Sequence, residues 1–323
     1  QYEKNHDYQN VNYRTKRIIA DFGSKNIDEI TKLEIKQWIN SLSHAQIENK
    51  PITHNSKMKY LRIFRGIFEL AVDGEVIEKN FCYDIRLQRQ GSEQIEEDIK
   101  PFNSKEITLL LEASKNQIYG EYLHLYIGVA FNQGMSPAEI LALQVGDIDF
   151  KQKTISITKN LTKGKIKEPK TKYRKRTIPM FRSAEPFFKE LLAKARDKKS
   201  LWLFSKDNGT HLEDIKDLRG DKEIIKNNKK LKHNTKWYKL LNDLSIEYRD
   251  LKNCRHTFAV KALESKAFTM QQVANILGHG SLQMLLKHYA KYIGDVALNV
   301  DRDISFLGDT LGDTLEFEKV GKA

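Results

Sequence analysis

The chain has 323 residues, 40% of them apolar, with 55 Lys and Arg against 43 Asp and Glu and a net charge of +12. This length predicts two ordinary globular domains, and no apolar run approaches the roughly 18 residues that a membrane span requires. Two cysteines are too few for a disulfide framework or a zinc site, so we expect a reducing cytoplasm and no bound metal. The excess of positive charge is typical of proteins that bind nucleic acid, although many basic proteins do not. A start at Gln1 rather than Met suggests that an N-terminal piece is missing.

Residues 1–88 carry helical patterns and are expected to form a first domain. The stretch TKLEIKQWINSL opens with a capping box, in which the side chains of Thr31 and Glu34 satisfy backbone donors at the helix start. A later helix has an apolar stripe with i, i+3, i+4, i+7 spacing, made of Tyr60, Ile63, Phe64, Ile67, Phe68 and Ala71. Its other faces are basic and form either an ordinary solvated surface or a DNA contact, through Lys57, Lys59, Arg62 and Arg65.

Residues 89–101 interrupt the apolar periodicity. The segment is polar and charged and contains Gly91 and Pro101, which is typical of a linker between domains. Immediately afterwards, Asn103 and Glu106 form another helix-start signal. We therefore expect the second domain to span residues 102–295.

The second domain changes pattern near its middle. TISIT (154–158) and RTIPM (176–180) are short and β-branched, and they predict two strands joined by a long hairpin. Residues 151–176 hold eleven Lys and Arg and a single acid, a local charge of +10. Helical periodicity returns at 181–196 and again from 236 onwards. The predicted fold class is therefore mainly α with a small β-sheet.

Unusual polar residues follow at the edges of the last helices. In LKNCRHTFAVKAL, an apolar stripe is accompanied by three polar residues at the start of the helix, namely Lys252, Arg255 and His256. In TMQQVANILGHG, Thr269 and Gln272 form a capping box and Gly278 is suited to end the helix in a left-handed turn. Taken singly, an arginine of this kind is usually a surface residue.

His279 directly follows that turn, and Ser281 is suited to cap one more helix. Tyr289 lies on the apolar stripe of this last helix, with Leu282, Leu285 and Leu286. Alone, a tyrosine in such a stripe is usually a core residue, and a histidine after a glycine is usually part of a turn. The turn would nevertheless bring His279 back toward the Tyr289 hydroxyl.

The three motifs together are more specific than any one of them. RHTFA, then LGH, then a tyrosine ten residues later resembles the tyrosine recombinase (integrase) family of DNA breaking and rejoining enzymes. The resemblance implies a helical core DNA-binding domain followed by an α+β catalytic domain. It also implies that Tyr289 attacks a phosphodiester and forms a 3′-phosphotyrosyl link, which conserves the bond energy, so that no cofactor is needed.

The resemblance assigns further roles residue by residue. Arg255 matches the second family arginine, whose guanidinium can bind two phosphate oxygens, and Lys252 stands at the His or Lys position three residues earlier. His279 falls on the second histidine position. The family lysine that acts as general acid matches Lys170, with Lys172 as the alternative. The rest of the basic hairpin is expected to contact DNA, through Lys172, Arg174 and Lys175.

The first family box departs from the pattern. FNQGMSPAEILAL has the acid, Glu139, but Ser136 stands where the family has an arginine. With Pro137 and Glu139, this serine makes a well-formed capping box, yet it cannot neutralise a phosphorane. Loss of one such preorganised group commonly costs about 10²–10³ in rate. Ser136 is either an introduced change that traps a DNA complex or a natural variant with little activity.

The family also implies partners. Two domains would clamp double-stranded DNA, and the tail, residues 296–323, would dock on a neighbouring protomer in a tetramer on two duplexes. Accessory DNA-bending proteins are candidate further partners, and the setting would be the bacterial cytoplasm, at the nucleoid. A site-specific recombinase of a transposon or phage is favoured over two alternatives, a type IB-like topoisomerase and a non-catalytic DNA-binding protein on the same fold.

Overall fold

The computed structural model describes residues 8–43, 51–88, 100–169, 171–219, 224–226, 229–231 and 235–292. The chain divides into two compact units, residues 1–98 and 99–323. Most of the predicted linker, 89–101, and all of the predicted exchange tail, 296–323, lie outside the described residues, so both stay predictions. None of the helices in the described ranges is long and apolar enough to span a membrane.

The described residues of the first unit, 8–43 and 51–88, form three α-helices. They are α1 (Tyr8–Phe22), α2 (Lys32–Ser41) and α3 (His54–Asp73). The predicted capping box at the start of α2 is confirmed, with the Glu34 amide donating to the Thr31 hydroxyl oxygen at 3.2 Å. The apolar stripe of α3 contributes Tyr60, Phe64 and Phe68 to the core of this unit, where Phe64 contacts Phe22 and Trp38 edge to face.

The second unit is mainly helical. Its helices are α4 (Ser104–Ala113), α5 (Leu123–Gln133), α6 (Pro137–Ile140), α7 (Glu185–Asp197), α8 (Ile215–Arg219), α9 (Lys236–Asp243), α10 (Asn253–Glu264), α11 (Met270–Leu277) and α12 (Leu282–Tyr289). Helix α5 is apolar around almost its whole circumference and is buried between α7 and α10. It is therefore the central element of this unit.

A small antiparallel sheet lies within the second unit. Strands β1 (Ile148–Asp149), β2 (Thr154–Ile157) and β5 (Arg176–Pro179) are ordered β1-β2-β5, with Ile155 opposite Ile178. The two predicted strands and their long connection are thus confirmed. The basic connection also contains a hairpin that the sequence pattern did not predict, β3 (Asn160–Thr162) with β4 (Lys165–Lys167). A further unpredicted hairpin pairs β6 (Ile224–Lys226) with β7 (Lys229–Leu231).

Two glycines at helix ends allow close packing around the site. Gly134 ends α5 with φ +61°, and a methyl group there would lie 2.2 Å from the ring of Phe258 on α10. Gly278 ends α11 in the left-handed conformation, as predicted. Glycine has no β-carbon and adopts these angles readily, and a methyl group at either turn would also lie too close to a neighbouring side chain.

The apolar stripe of α12 is only partly packed. Leu285 and Tyr289 are buried, whereas Leu282 and Leu286 keep 37% and 40% of their surface exposed. The predicted inward face of this helix is therefore narrower than its sequence pattern indicates.

Candidate active site

Tyr289 is the last residue of α12 and is almost completely buried, with 1% of its surface exposed. Its hydroxyl lies 2.7 Å from Nδ1 of His256, which belongs to the first turns of α10. Burial raises the pKa of Tyr289 to about 12, although the positive charge of Arg255 acts in the opposite direction. The phenol therefore keeps its proton at neutral pH.

His256 is the hydrogen-bond partner of the tyrosine, which corrects the sequence-based expectation. Burial lowers the pKa of His256 to about 4, with further lowering from the charges of Lys252 and Arg255. The imidazole is therefore neutral at pH 7, and in the tautomer with its proton on Nε2 the Nδ1 atom accepts from the phenol O–H. The expected partner, His279, forms no hydrogen bond with Tyr289 in the described part of the chain.

Arg255 is fixed by the ends of two other helices. Its Nη1 donates to the Gly134 carbonyl at 2.9 Å and its Nη2 to the Leu277 carbonyl at 2.5 Å. These carbonyls belong to the C-terminal ends of α5 and α11, where helix carbonyls lack partners within the helix. Burial lowers the pKa of Arg255 and the charge of Glu139 raises it, but a guanidinium stays charged at neutral pH.

Glu139 connects the first family box to two arginines. Only 2% of its surface is exposed, and its Oε2 accepts from the Ser136 amide at 2.7 Å. Its Oε1 accepts from Arg176 Nη1 at 2.9 Å, and Oε2 lies 3.5 Å from Arg255 Nη1. Burial alone would raise the pKa of Glu139, but the charge of Arg176, and then that of Arg255, hold it below its ordinary value. The carboxylate is ionised and bridges the two guanidiniums.

Arg176 is a site residue that the sequence analysis did not single out. It begins β5, and its Nε donates to the Ile276 carbonyl at 2.9 Å, at the end of α11. In the sequence it is one of eleven basic residues in one segment, and nothing in that run distinguishes it. Its position at the start of a predicted strand, where a side chain has a fixed direction, was the available signal.

His279 and Lys252 lie at the edges of this cluster. His279 is half-buried, and burial, followed by the charge of Arg255, lowers its pKa to about 4. Its Nδ1 is buried and has no hydrogen-bond partner among the described residues. The imidazole borders a cavity of about 480 Å³ that Arg176 also lines. Lys252 is exposed at the N-terminal end of α10, one turn before His256.

The predicted general acid cannot be located from the described residues. Lys170 lies outside them, and the side chain of Lys172 is not described either, although its backbone starts a short 3-10 helix. Arg174 is half-buried and Lys175 is exposed. The roles of these four residues therefore stay predictions.

The predicted DNA-contacting face of α3 needs one correction. Lys57 is 1% exposed and its Nζ donates to Asn40 Oδ1 at 3.3 Å, because it lies on the buried side of the helix, three residues before Tyr60. Arg65 is half-buried and donates from Nε to the Cys82 carbonyl at 3.1 Å. The two other cations of the set, Lys59 and Arg62, are exposed.

The arrangement has the chemistry of a phosphate-reacting site. It combines a protonated phenol, a neutral imidazole in contact with it, and two buried guanidiniums fixed by backbone carbonyls and a carboxylate. Preorganised guanidiniums bind phosphate oxygens and stabilise the negative charge of a phosphoryl transition state.

The chain is similar in sequence and fold to known proteins. Residues 100–292 match the model of the phage integrase family, and residues 1–85 match that of the phage integrase SAM-like domain. A XerC-like tyrosine recombinase of Caldanaerobacter subterraneus subsp. tengcongensis is 28% identical over 288 residues, 84% of this chain and 70% of the relative. The transposase from transposon Tn916 of Enterococcus faecalis is 22% identical over 281 residues, 85% of this chain and 67% of the relative. The fold is similar to that of the Tn1549 transposon integrase in complex with circular intermediate DNA, with a TM-score of 0.67, 18% identity, and coverage of 88% and 89% of the two chains.

Proposed function

Because the chain belongs to the phage integrase family of tyrosine recombinases, we propose that it is a site-specific recombinase of a mobile element. It would cut and rejoin double-stranded DNA through a 3′-phosphotyrosyl intermediate. The observation that carries the proposal is the contact between the Tyr289 phenol and the His256 imidazole, together with the buried Arg255 guanidinium fixed by the ends of two helices. Tyr289 ends α12, His279 follows α11, and Arg255 lies in the first turn of α10.

The proposed chemical step needs one proton acceptor and one proton donor. The phenolic oxygen of Tyr289 attacks a DNA phosphorus, the P–O5′ bond breaks, and the departing strand ends in a 5′-hydroxyl. His256 Nδ1, 2.7 Å from the phenolic oxygen, accepts the phenol proton. Lys170, or Lys172 as the alternative, gives a proton to the leaving oxygen.

The remaining groups of the site would act on the phosphate. Arg255 binds nonbridging oxygens with the two edges of its guanidinium, and Lys252 and His279 donate to the same group. Glu139 keeps the guanidinium cluster in position without touching the DNA. None of these steps uses a metal or an external energy source.

The proposed DNA partner is supported by the exposed cations Lys59, Arg62 and Lys175. The similar Tn1549 integrase was solved in complex with DNA. Contacts of this kind go mostly to phosphates, so affinity should fall steeply with salt through counterion release. A tetramer on two duplexes, exchange of the tail 296–323 and accessory DNA-bending proteins are proposed on the family resemblance alone.

Ser136 is the reason to propose that this chain cleaves slowly. Its amide is bound by Glu139, but its side chain carries no charge to place against a phosphorane. Removal of one preorganised donor commonly costs about 10²–10³ in rate, so the substitution Ser136→Arg has at most that much to restore. The same residue favours the second candidate function, a DNA-binding protein on this fold that does not cleave.

A covalent-capture experiment tests the proposal. The duplex that the chain binds is first selected from a randomised pool, and is then nicked just 3′ of each phosphate in turn, so that the short 5′-hydroxyl fragment diffuses away after cleavage. The parent chain, Ser136→Arg and Ser136→Arg with Tyr289→Phe are incubated with these duplexes and run on a denaturing gel. An adduct that is lost in the Tyr289→Phe variant supports the recombinase. Tight binding without an adduct in any protein contradicts it and favours the non-catalytic candidate.

A further inference from the structure

We propose that Arg176 supplies the guanidinium that position 136 lacks, binding a nonbridging oxygen of the scissile phosphate beside Arg255. The inference rests on the proposed function, because it concerns the same reaction at the same site. It assigns a catalytic contact to a residue of β5, whereas the family arginine of the first box would stand at the start of α6.

The guanidinium of Arg176 is held in one orientation by bonds on three sides. Its Nε donates to the Ile276 carbonyl at 2.9 Å, and its Nη1 donates to the Arg174 carbonyl at 3.0 Å and to Glu139 Oε1 at 2.9 Å. Its Nη2 donates to Glu139 Oε2 at 3.4 Å. These bonds occupy four of the five N–H groups of an arginine, which leaves one Nη2 hydrogen for a further acceptor.

The carboxylate that holds Arg176 is the one that belongs to the first family box. Glu139 accepts from the Ser136 amide through Oε2, the same oxygen that Arg176 Nη2 approaches. Arg176, on β5, therefore contacts the acid that lies three residues after position 136, where the family has an arginine. The guanidinium of Arg176 makes a contact with this carboxylate that the neutral side chain of the serine does not make.

The charge of the cluster points to an anion. Two guanidiniums share one carboxylate, and the three side chains keep only 9%, 10% and 2% of their surface exposed, for Arg176, Arg255 and Glu139 respectively. The cluster thus has an excess of one buried positive charge. Such a charge is costly to keep out of water unless an anion meets it. A scissile phosphate would provide that anion.

The neighbours of Arg176 are the groups that a phosphate needs. Arg176 and His279 line the same cavity of about 480 Å³, and the buried Nδ1 of His279 has no partner among the described residues. A methyl group on Gly278 would lie 2.7 Å from Arg176 Nη1, so the turn that carries His279 packs directly on the guanidinium. Arg176 therefore shares a cavity with His279 and shares the Glu139 carboxylate with Arg255.

A purely structural role for Arg176 makes a different prediction, and the chain offers a matched control. Arg249 is also a buried arginine, 11% exposed, with a bond to Glu106 of 2.6 Å in the same unit. It stacks on the ring of Phe102, and its hydrogen bonds among the described residues go to Pro101 and Glu106 rather than to Glu139. If Arg176 only joins β5 to α6, its replacement should affect folding as the replacement of Arg249 does. Its effect on the rate of adduct formation should then be the same on a charged and an uncharged phosphate.

The test measures the rate of adduct formation on two versions of the selected nicked duplex. One has the natural phosphate at the scissile position, and the other has a methylphosphonate, in which a methyl group replaces a charged nonbridging oxygen. The proteins are the parent chain, Arg176→Gln, Arg176→Lys, Arg249→Gln and Ser136→Arg, with the folded fraction of each determined from its thermal unfolding. Arg176→Lys keeps the positive charge beside Glu139, so it serves as the second variant if Arg176→Gln does not fold.

We expect Arg176→Gln to lower the rate on the natural phosphate by about 10²–10³, the usual effect of removing one preorganised charge. On the methylphosphonate, the parent and Arg176→Gln should react at the same rate, because the charge that Arg176 neutralises is absent. Arg176→Lys should show a smaller loss on the natural phosphate, and Arg249→Gln none per folded molecule.

Three results would overturn the inference. They are an equal loss on both duplexes, an equal loss for Arg249→Gln, and a parent chain that forms no adduct while Ser136→Arg does. The last result leaves the proposed function intact and removes only the role of Arg176. If neither the parent nor Ser136→Arg forms an adduct on any duplex, the proposed function itself fails, and the inference fails with it.

Discussion

The substitution Glu139→Gln should destabilise the second unit strongly, because it removes the carboxylate that lies between two buried guanidiniums. Breaking a buried ion pair by removing one partner typically costs about 3–5 kcal/mol. Arg255 retains two carbonyl contacts and Arg176 also retains two, which favours the lower end of this range. We therefore expect the free energy of unfolding to fall by about 3 kcal/mol. For a unit of this size the midpoint should drop by about 6–12 °C.

Differential scanning calorimetry of the full chain at pH 7, following the transition of residues 99–323, measures this effect. The pH dependence provides a second observable. The pKa of Glu139 is lowered in the folded state, so its contribution is complete above the ordinary pKa of 4.5 and is lost as the pH falls through the folded value. The difference in unfolding midpoint between the parent and Glu139→Gln should therefore disappear at acidic pH.

The matched control is Glu264→Gln, which removes an exposed carboxylate paired with Lys261 at 3.3 Å. Exposed pairs contribute little to stability, so its midpoint should equal that of the parent. A change in unfolding midpoint for Glu139→Gln as small as that for Glu264→Gln would refute the reasoning. The two buried guanidiniums would then be stable without a negative charge between them.

Three further predictions concern the nucleophile, the turn after α5 and the DNA surface. His256→Gln should lower the adduct rate by about 10²–10⁴, the usual contribution of a general base, while His288→Gln, an exposed neighbour of Tyr289, should not. Since the pKa of His256 is about 4, the parent rate should fall only as the pH drops through that value, when the imidazole gains a proton. Gly134→Ala should lower the free energy of unfolding by about 2 kcal/mol or more, measured by urea denaturation, because φ is +61° and the new methyl would lie 2.2 Å from an aromatic ring of α10. Lys59→Gln should reduce the slope of log affinity against log salt concentration by about 1. Lys57→Met should change stability and leave this slope unaltered. Equal slopes for the two variants would contradict the proposal that the exposed Lys59, and not the buried Lys57, contacts DNA.

The sequence predicts well those features that depend on near neighbours. The capping boxes at Thr31, Asn103 and Thr269, the left-handed stop at Gly278 and the strand pair 154–158 with 176–180 are all present. Each results from backbone geometry and side-chain period over a few residues, which the sequence states directly. The fold class follows from the same local patterns.

The contacts that make the site depend instead on packing across the chain. His256 and Tyr289 are 33 residues apart, and Glu139 and Arg176 are 37 apart, so no local spacing connects either pair. The burial of Lys57 could be predicted more easily from the sequence, because Lys57 lies on the same helical face as Tyr60, Leu61 and Phe64. Its long apolar stem allows a lysine to join such a face when its ammonium group has a partner.

The burial of Tyr289 has a consequence for how the protein selects its substrate. A hydroxyl on a residue with 1% of its surface exposed cannot meet a phosphate until the groups that cover it move, while His256 stays within reach of the phenol proton. The observed rate on any duplex is then the intrinsic rate multiplied by the fraction of molecules in the opened form. A duplex that binds the cations without uncovering Tyr289 is held but left uncut, so accurate strand breakage depends on a conformational equilibrium as well as on affinity.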